Sequence, residues 1–179
     1  MLSDSLSVVR WQFSMTWALA DFHLSRLTDA VCLWLPAESS WTVHLKDDGR
    51  WLADWAEPEP ESPAAPSIAW LTWHVMWWWS GALQAAKGQP RLAPTDVTWA
   101  GSADAAVRNL RNLAAQWDEL LDRLSTAELE QPVAFPWPEP RPLIYTMAWV
   151  NSELMKNVAE IGELVNVYGT LVSPSPGRG

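Results

Sequence analysis

The chain has 179 residues, 49 % of them apolar, and a formal net charge of −9. A chain of this size and apolar content is expected to fold as one domain with a substantial core, which argues against disorder over most of its length. The acidic balance argues against nucleic acid and anionic membranes as partners, because phosphate binding needs a basic surface. A single cysteine, Cys32, excludes an internal disulfide.

Nothing in the sequence has the pattern of a secretory leader or of a membrane span. The first residues lack a basic region followed by an uninterrupted apolar core. The longest apolar run, around Trp73 to Trp79, is too short to span a bilayer and is interrupted by His74. With one cysteine, this predicts a cytoplasmic protein.

Apolar residues recur at three- and four-residue steps in four long segments, which predicts four helices. They cover about residues 6–31, 67–87, 102–124 and 143–168, and a short turn is expected at 125–130. The pattern predicts an all-α fold, a four-helix bundle over residues 1–172, followed by a disordered tail at 173–179. Gly162, inside the last helix, suggests a close approach of another helix.

Two long connections interrupt the helical pattern. In the first, residues 36–66, Asp48-Gly49 is a tight-turn signal between two short apolar pieces, so a small hairpin or an irregular lid is expected. The proline-rich residues 57–63 should run extended. In the second, residues 132–142, five prolines also predict extended chain.

The second predicted helix begins with a stretch unusually rich in tryptophan. Residues 67–79 hold five of the chain's fifteen tryptophans and one of its three histidines, His74. At helical spacing the imidazole shares a face with indoles one turn before it and one turn after it. This predicts the floor of a pocket, with His74 as a candidate catalytic residue and five candidate wall residues: Trp70, Trp73, Trp77, Trp78 and Trp149.

The fourth predicted helix places Glu153 and Asn157 four residues apart, so they stack on one face. That face otherwise turns toward the core, and His74 on a neighbouring helix is the obvious partner for these buried polar groups. His74, Glu153 and Asn157 form a workable three-ligand metal site with a vacant position for water or substrate. Alternatively, the three side chains form a hydrogen-bonded polar cluster without a metal.

Three segments carry a resemblance that spans nearly the whole chain: residues 68–74, 135–137 and 149–157. On these segments the chain resembles the DinB-like superfamily, related to YfiT, and within it an actinobacterial branch. The resemblance implies a four-helix bundle with an up-down-down-up path and a long crossover as its first connection. It implies no DNA chemistry, in agreement with the acidic charge.

The resemblance also implies a site. Members of the superfamily commonly bind zinc or nickel through a histidine on the second helix and two residues at i and i+4 on the last. His74, Glu153 and Asn157 occupy these positions. The last two are typically histidines, and a distantly similar branch, mycothiol-dependent maleylpyruvate isomerase, has a glutamate first, as here. Asn157 departs from both patterns.

Three functions remain open at this stage. The resemblance implies a metal-dependent enzyme with His74 and Glu153 in catalysis: a transferase or isomerase that uses a low-molecular-weight thiol such as mycothiol, or a hydrolase. The second is a metal-free protein that binds a small molecule, with His74, Glu153 and Asn157 as polar anchors. The third is a structural homodimer whose exposed tryptophans form the interface.

Overall fold

The computed structural model describes residues 2–58 and 64–172, and the chain is mainly helical. Four long helices and two short ones account for most of it: α1 (Leu2–Leu24), α2 (Asp29–Leu33), α3 (Ile68–Ala86), α4 (Ala103–Arg123), α5 (Thr126–Leu129) and α6 (Leu143–Leu171). A 3-10 turn at Pro94–Asp96 lies between α3 and α4. The predicted tail, residues 173–179, lies outside the described residues.

Three of the four long helices begin and end within three residues of their predicted limits, but the first does not. The sequence predicts one helix over residues 6–31, whereas α1 ends at Leu24 and α2 begins at Asp29. The Thr28 hydroxyl accepts a hydrogen bond from the backbone N–H of Val31 at 3.3 Å and so caps a new helix. Such a cap competes with helix continuation, and apolar periodicity does not reveal it.

The first connection contains the predicted hairpin. Strands β2 (Val43–Leu45) and β3 (Trp51–Ala53) pair in antiparallel fashion, and Gly49 takes a φ of 83° in the turn between them. Strands β1 (Ser40–Trp41) and β4 (Ala65–Pro66) form a short parallel pair that closes the connection against the start of α3. Of the predicted extended stretch 57–63, residues 59–63 lie outside the described part.

The second connection is extended, as its prolines predict. Strands β5 (Pro132–Val133) and β6 (Arg141–Pro142) pair in antiparallel fashion and deliver the chain to α6. Between them, Phe135 turns inward and is 3 % exposed. Its backbone carbonyl accepts a hydrogen bond from the buried Thr146 hydroxyl at 2.6 Å, which fixes the aromatic ring beside α6.

The four long helices pack around one core. Helix α1 lies against α6 and α4, and α3 lies against α4 and α6. Indoles fill the centre: Trp79 stands edge-on to Phe13 of α1 and to Trp117 of α4, and both tryptophans are fully buried. Among the described residues, no helix is both long enough and apolar enough to cross a membrane.

Candidate functional site

His74 is held by a stack of aromatic rings at the middle of α3. Its imidazole lies nearly parallel to the Trp70 indole, with ring centroids 4.7 Å apart and planes at 12°. Trp55 from the first connection lies on it at 6.5 Å and 25°, and Trp77 flanks it at 5.8 Å. The helix starts where it does because the Ser67 side chain accepts a hydrogen bond from the Trp70 N–H at 3.2 Å.

The same surroundings keep His74 neutral. Burial, with a smaller contribution from the positive charge of Lys156, lowers the pKa of His74 from 6.5 to about 4. Its Nδ1 is buried and has no hydrogen-bond partner among the described residues. A buried polar atom without a partner costs stability.

One cavity opens on the α6 side of His74. It has a volume of about 180 Å³ and lies between α3, α6, the connection after α3 and the connection before α6. Its polar lining comprises His74, Glu153 and Arg91. The rest is apolar and largely aromatic: Trp77, Trp78, Gly81, Leu92, Phe135, Pro136 and Trp149.

The aromatic rings of the cavity wall pack against one another and hold each other in place. Trp149 stands edge-on to Trp78 at 5.2 Å and to Phe135 at 5.5 Å. A β-carbon on Gly81 would meet the Phe135 ring at 3.0 Å, so only glycine lets the ring approach α3 this closely. Trp77 donates its indole N–H to the Leu92 carbonyl at 3.0 Å, which ties the connection after α3 to the cavity.

Glu153 reaches the cavity from α6 and is paired with Lys156, one turn further along the same helix. The glutamate side chain is 19 % exposed and the lysine side chain 52 % exposed, so the pair lies at the edge of the site. The carboxylate's charge is therefore balanced locally before any ligand arrives.

Asn157 is the most buried of the three predicted ligands, at 1 % exposure, and both ends of its amide are engaged. Its Oδ1 accepts the indole N–H of Trp78 at 3.1 Å. Its Nδ2 donates to the Glu160 carboxylate at 2.9 Å. These bonds fix the side chain as a link between α3 and α6.

A second, larger hollow lies on the other side of His74. It has a volume of about 780 Å³ and is lined by Trp41, Trp55, Trp70, Lys156 and Asn157, among others. Residues 59–63, outside the described part, follow directly on lining residues of the first connection. His74 thus forms the wall between two hollows, with Glu153 on one side and Asn157 on the other.

The five predicted wall tryptophans divide among three locations. Trp77, Trp78 and Trp149 line the smaller cavity, and Trp70 lines the larger hollow. Trp73 lines neither of them: it is 1 % exposed, and its indole N–H donates to the Val97 carbonyl at 2.8 Å. Three of the five therefore meet around one space together with His74 and Glu153.

As arranged here, the predicted donor set does not fit a divalent cation. The carboxylate of Glu153 is paired with an ammonium, and the Asn157 oxygen already accepts a hydrogen bond. The two side chains line different hollows. Within the described residues, no three His, Cys, Asp or Glu side chains are grouped so that they could hold a metal ion. The predicted set contains only two such side chains, with an amide as the third member.

Sequence reasoning missed Arg91 and Phe135 as members of the site. Both lie in connections, where no periodicity assigns a direction to a side chain. The sequence did indicate a buried position for Phe135, because an aromatic residue within a run of prolines is expected to be anchored by its ring. It contained no such indication for Arg91.

Comparison with known proteins gives a family and nothing narrower. The family model described as the DinB superfamily matches residues 12–161. No curated protein and no solved structure matches the chain.

Proposed function

The chain belongs to the DinB superfamily, and on this premise we propose that it binds a small aromatic molecule, without a metal, in the cavity between α3 and α6. The observation that carries the proposal is a neutral imidazole, unpartnered at Nδ1, in the wall of an indole-lined cavity. A concave, mostly apolar space with a few converging polar groups is the usual form of a ligand site.

The size of the cavity limits the ligand. Its volume of about 180 Å³ slightly exceeds the ~150 Å³ of an engineered apolar cavity that holds benzene. One aromatic ring with a small substituent therefore fits. The edge-on rings of Trp78, Trp149 and Phe135 offer faces and edges for such a ring.

The polar groups of the site would orient the ligand. Because Nδ1 is buried, Nε2 is the ring nitrogen of neutral His74 that can meet a ligand, and it donates or accepts a hydrogen bond according to the tautomer. Glu153, with its charge balanced by Lys156, offers acceptor oxygens at the edge of the same space. In this function Asn157 acts as a positioning residue, because it fixes Trp78 rather than contacting the ligand.

The proposal is tested by titrating untagged protein with single-ring aromatic compounds in the presence of a chelator. Binding to the wild type is expected, with at least tenfold weaker binding to His74→Phe, which keeps a flat ring against Trp70 but removes both nitrogens. His44→Phe is the matched control, because His44 lies exposed in β2 and pairs with Asp54. Binding that requires added metal, or that is equal in His74→Phe, would contradict the proposal.

A second candidate function is the metal-dependent enzyme that the superfamily resemblance implies. Zinc or nickel would be held by His74, Glu153 and Asn157. The reaction would be either an S-transfer or isomerisation that uses a thiol such as mycothiol, or a hydrolysis. The neutral state of His74 favours this candidate, since only unprotonated imidazole binds a metal. It requires Glu153 to release Lys156 and Asn157 to turn from Trp78.

Metal analysis separates the two functions. Protein purified without a histidine tag is expected to contain far less than one equivalent of zinc or nickel if the first function holds. One equivalent that is lost in His74→Phe and retained in His44→Phe would instead establish the second function and refute the metal-free site.

We also propose that the four long helices follow the up-down-down-up path of the superfamily. Helices α1 and α6 run in the same direction: Val9 accepts a hydrogen bond from Asn151 near their starts, and Arg26 donates to Asn166 near their ends. Helices α1 and α4 run in opposite directions, because Arg10 meets Leu121 while Asp21 meets Arg111.

The course of the connection between α3 and α4 indicates the direction of α3 relative to α4. It runs back along α3: Trp77 donates to Leu92, Trp73 to Val97, and Trp99 donates to Thr72. Helix α4 therefore starts at the end where α3 starts, and the two run in the same direction. Combined with the pairs above, this supports the path up, down, down, up.

A further inference from the structure

The cavity beside His74 has a single unpaired charge, that of Arg91. Within residues 2–58 and 64–172, Arg91 makes no hydrogen bond and no ion pair; its guanidinium lies over the Phe135 ring, 4.9 Å from the centroid. The backbone there is fixed, because the next residue, Leu92, accepts the Trp77 indole hydrogen bond. The other lining charge, Glu153, is already balanced by Lys156.

We infer that the ligand of this cavity is a single-ring aromatic carboxylate whose acid group binds Arg91. The inference rests on the proposed function and adds the chemical class of the ligand. A guanidinium presents a planar fork of donors that matches a carboxylate. The chain carries a net charge of −9, so its overall field disfavours anions and a local cation must supply the attraction.

The position of Arg91 fits this role. It is exposed to solvent, while the rings of Phe135 and Trp149 lie deeper against α3 and α6. A ligand with its ring between the indoles and its acid group toward the solvent places the carboxylate beside the guanidinium. Because the carboxylate remains at the rim, binding needs no burial of an unpaired charge.

The test uses a matched pair of probes, 4-fluorobenzoate and 4-fluorobenzyl alcohol, followed by fluorine NMR on the full chain. The wild type is expected to bind the acid at least tenfold more tightly than the alcohol. In Arg91→Gln the acid should lose at least tenfold in affinity and the alcohol should lose nothing. Arg91→Lys should keep only part of the affinity for the acid, because lysine retains the charge but not the planar fork. Arg108→Gln, at an exposed arginine on α4, serves as the control.

The outcomes separate this inference from the proposed function. If both probes bind with similar affinity and Arg91→Gln changes neither, the acid assignment is overturned and the cavity remains a ligand site. If neither probe binds the wild type, the proposed function and the acid assignment both fail. An equal loss of both probes in Arg91→Gln would assign a packing role to the arginine and overturn the inference.

A different observation carries a second inference, about the outer face of α1 and α6. Large apolar side chains are exposed along α1 at three- and four-residue steps, and α6 contributes two more: Val8, Trp11, Met15, Leu19, Phe22, Tyr145 and Met155. Trp11 and Phe22 are each 59 % exposed and Tyr145 is 53 % exposed. A patch of this extent on a single chain marks an interaction site.

A hydrogen bond between α1 and α6 relates the two sets to each other. Gln12 of α1 meets Asn151 of α6; Val8 is one turn before Gln12 and Met15 is one turn after it. Met155 is one turn after Asn151, on the same side of α6. Val8, Met15 and Met155 therefore lie beside the line along which α1 and α6 pack, and we define the apolar face as the seven side chains named above.

The apolar face carries little charge: the guanidinium of Arg26 lies over the Phe22 ring at its end, 5.8 Å from the centroid. From residue 8 to 22 the charged residues of α1 are Arg10 and Asp21, and both turn toward α4, where they meet Asp122 and Arg111. From residue 143 to 152, α6 contains no charged residue.

We propose that a second copy of this chain covers the apolar face, α1 and α6 of one copy against α1 and α6 of the other. Two acidic chains can meet on this face with little repulsion between them. Its exposed area is roughly 600 Å², close to the ~800 Å² that each partner contributes to a standard interface. A two-fold dimer uses the same face on both copies, so one apolar patch is sufficient.

Sedimentation velocity on the full chain tests this proposal. The wild type is expected to sediment as a dimer, at twice the monomer mass of 20.1 kDa. Trp11→Glu should raise the dissociation constant at least a hundredfold, because each copy would place a carboxylate in the apolar interface. Leu45→Glu, a control at a residue 58 % exposed in β2, should leave the dimer intact.

Circular dichroism of both variants checks that they remain folded, as their exposed positions predict. A wild type that is monomeric at 100 micromolar, or a folded Trp11→Glu that still dimerises like the wild type, would overturn the proposal. So would equal dissociation in both variants, because the effect would then not belong to the apolar face.

Discussion

His74 combines two properties that normally exclude each other. It is packed between indoles like a core residue, yet one ring nitrogen has no partner and the ring borders two hollows. The burial that keeps it neutral also makes its protonation unfavourable. A residue of this kind affects both the binding site and the acid stability of the protein.

The pKa of His74 predicts how stability changes with pH. In the folded protein the pKa is about 4, below the ordinary 6.5. Between these values the unfolded chain binds a proton that the folded chain does not, so stability should fall as the pH drops from 6.5 toward 4. The loss is expected to be about 2 kcal/mol, below the full linkage value because the ring borders solvent-filled space.

Urea unfolding at pH 7.5 and pH 5 measures this loss. The comparison is between the wild type and His74→Phe, because the carboxylates titrate in both proteins and cancel. The wild type should lose about 1 kcal/mol more than the variant on going to pH 5, the part of the loss that falls above this pH. Equal losses in the two proteins would show that His74 is not held neutral.

Cys32 is expected to be chemically inert in the folded protein. Its side chain is fully buried, and burial, with the nearby Asp29 charge, raises the pKa of the thiol to about 12. Only the thiolate reacts at an appreciable rate. A chromogenic disulfide reagent should therefore release no colour from native protein within minutes and one equivalent in denaturant; fast reaction of the native protein would contradict this structure around α2.

The site residues show what helical spacing can and cannot predict. Glu153 and Asn157 were expected on one helix face next to His74, and each borders a hollow that His74 also borders. The spacing of two residues along one helix does not determine on which side of a histidine from the neighbouring helix each of them lies. It also does not reveal that Trp78, on another helix, has already engaged Asn157.

At the scale of elements, one glycine of α6 allows a side chain of α1 to come unusually close. A β-carbon on Gly162 would meet the His23 imidazole at 2.6 Å, closer than real side chains come. Gly162→Ala should therefore destabilise the protein by about 1–3 kcal/mol through overpacking, even though alanine favours helix. Gly169, in the same helix with nothing within 4 Å of its β-carbon position, is the matched control.

Chemical denaturation of the two glycine variants is the measurement. Gly169→Ala is expected to be neutral or slightly stabilising. In His23→Ala the space beside Gly162 is emptied, so adding Gly162→Ala to that background should cost much less than in the wild type. Equal costs in both backgrounds would mean that the close approach is not the cause.

The long helices could be predicted because each has a continuous apolar stripe, and α3, α4 and α6 begin and end close to their predicted residues. The break after Leu24 could not be predicted in this way, because apolar periodicity continues through it. There the Thr28 cap, a local hydrogen bond, decides the structure. The predicted hairpin at Asp48-Gly49 followed from turn chemistry, which is read directly from residue type.

At the scale of the whole molecule, the connections complete the site that the helices begin. The connection after α3 supplies Arg91, and the connection before α6 supplies Phe135. Indole N–H groups of α3 hold the connection after α3, as Trp77 does with Leu92, and the Thr146 hydroxyl holds the connection before α6 at Phe135. The excess of tryptophan in the sequence is explained in part by this role.

How the connections fold over α3 could not be predicted from the sequence. Their residues follow no period, and their positions depend on hydrogen bonds to side chains distant in sequence, such as Trp99 to Thr72. The family resemblance predicted the positions of His74, Glu153 and Asn157 within the helices. It said nothing of Arg91, which no motif includes.

The central claim is that the cavity between α3 and α6 holds an aromatic acid beside His74. The measurement that tests it most directly is the anomalous diffraction of bromine in crystals of untagged protein soaked with 4-bromobenzoate. We predict one strong bromine peak between Trp78 and Trp149, with the carboxylate on Arg91. A bromine peak only outside this cavity, or a metal ion bound to His74 and Glu153 in its place, would contradict the claim.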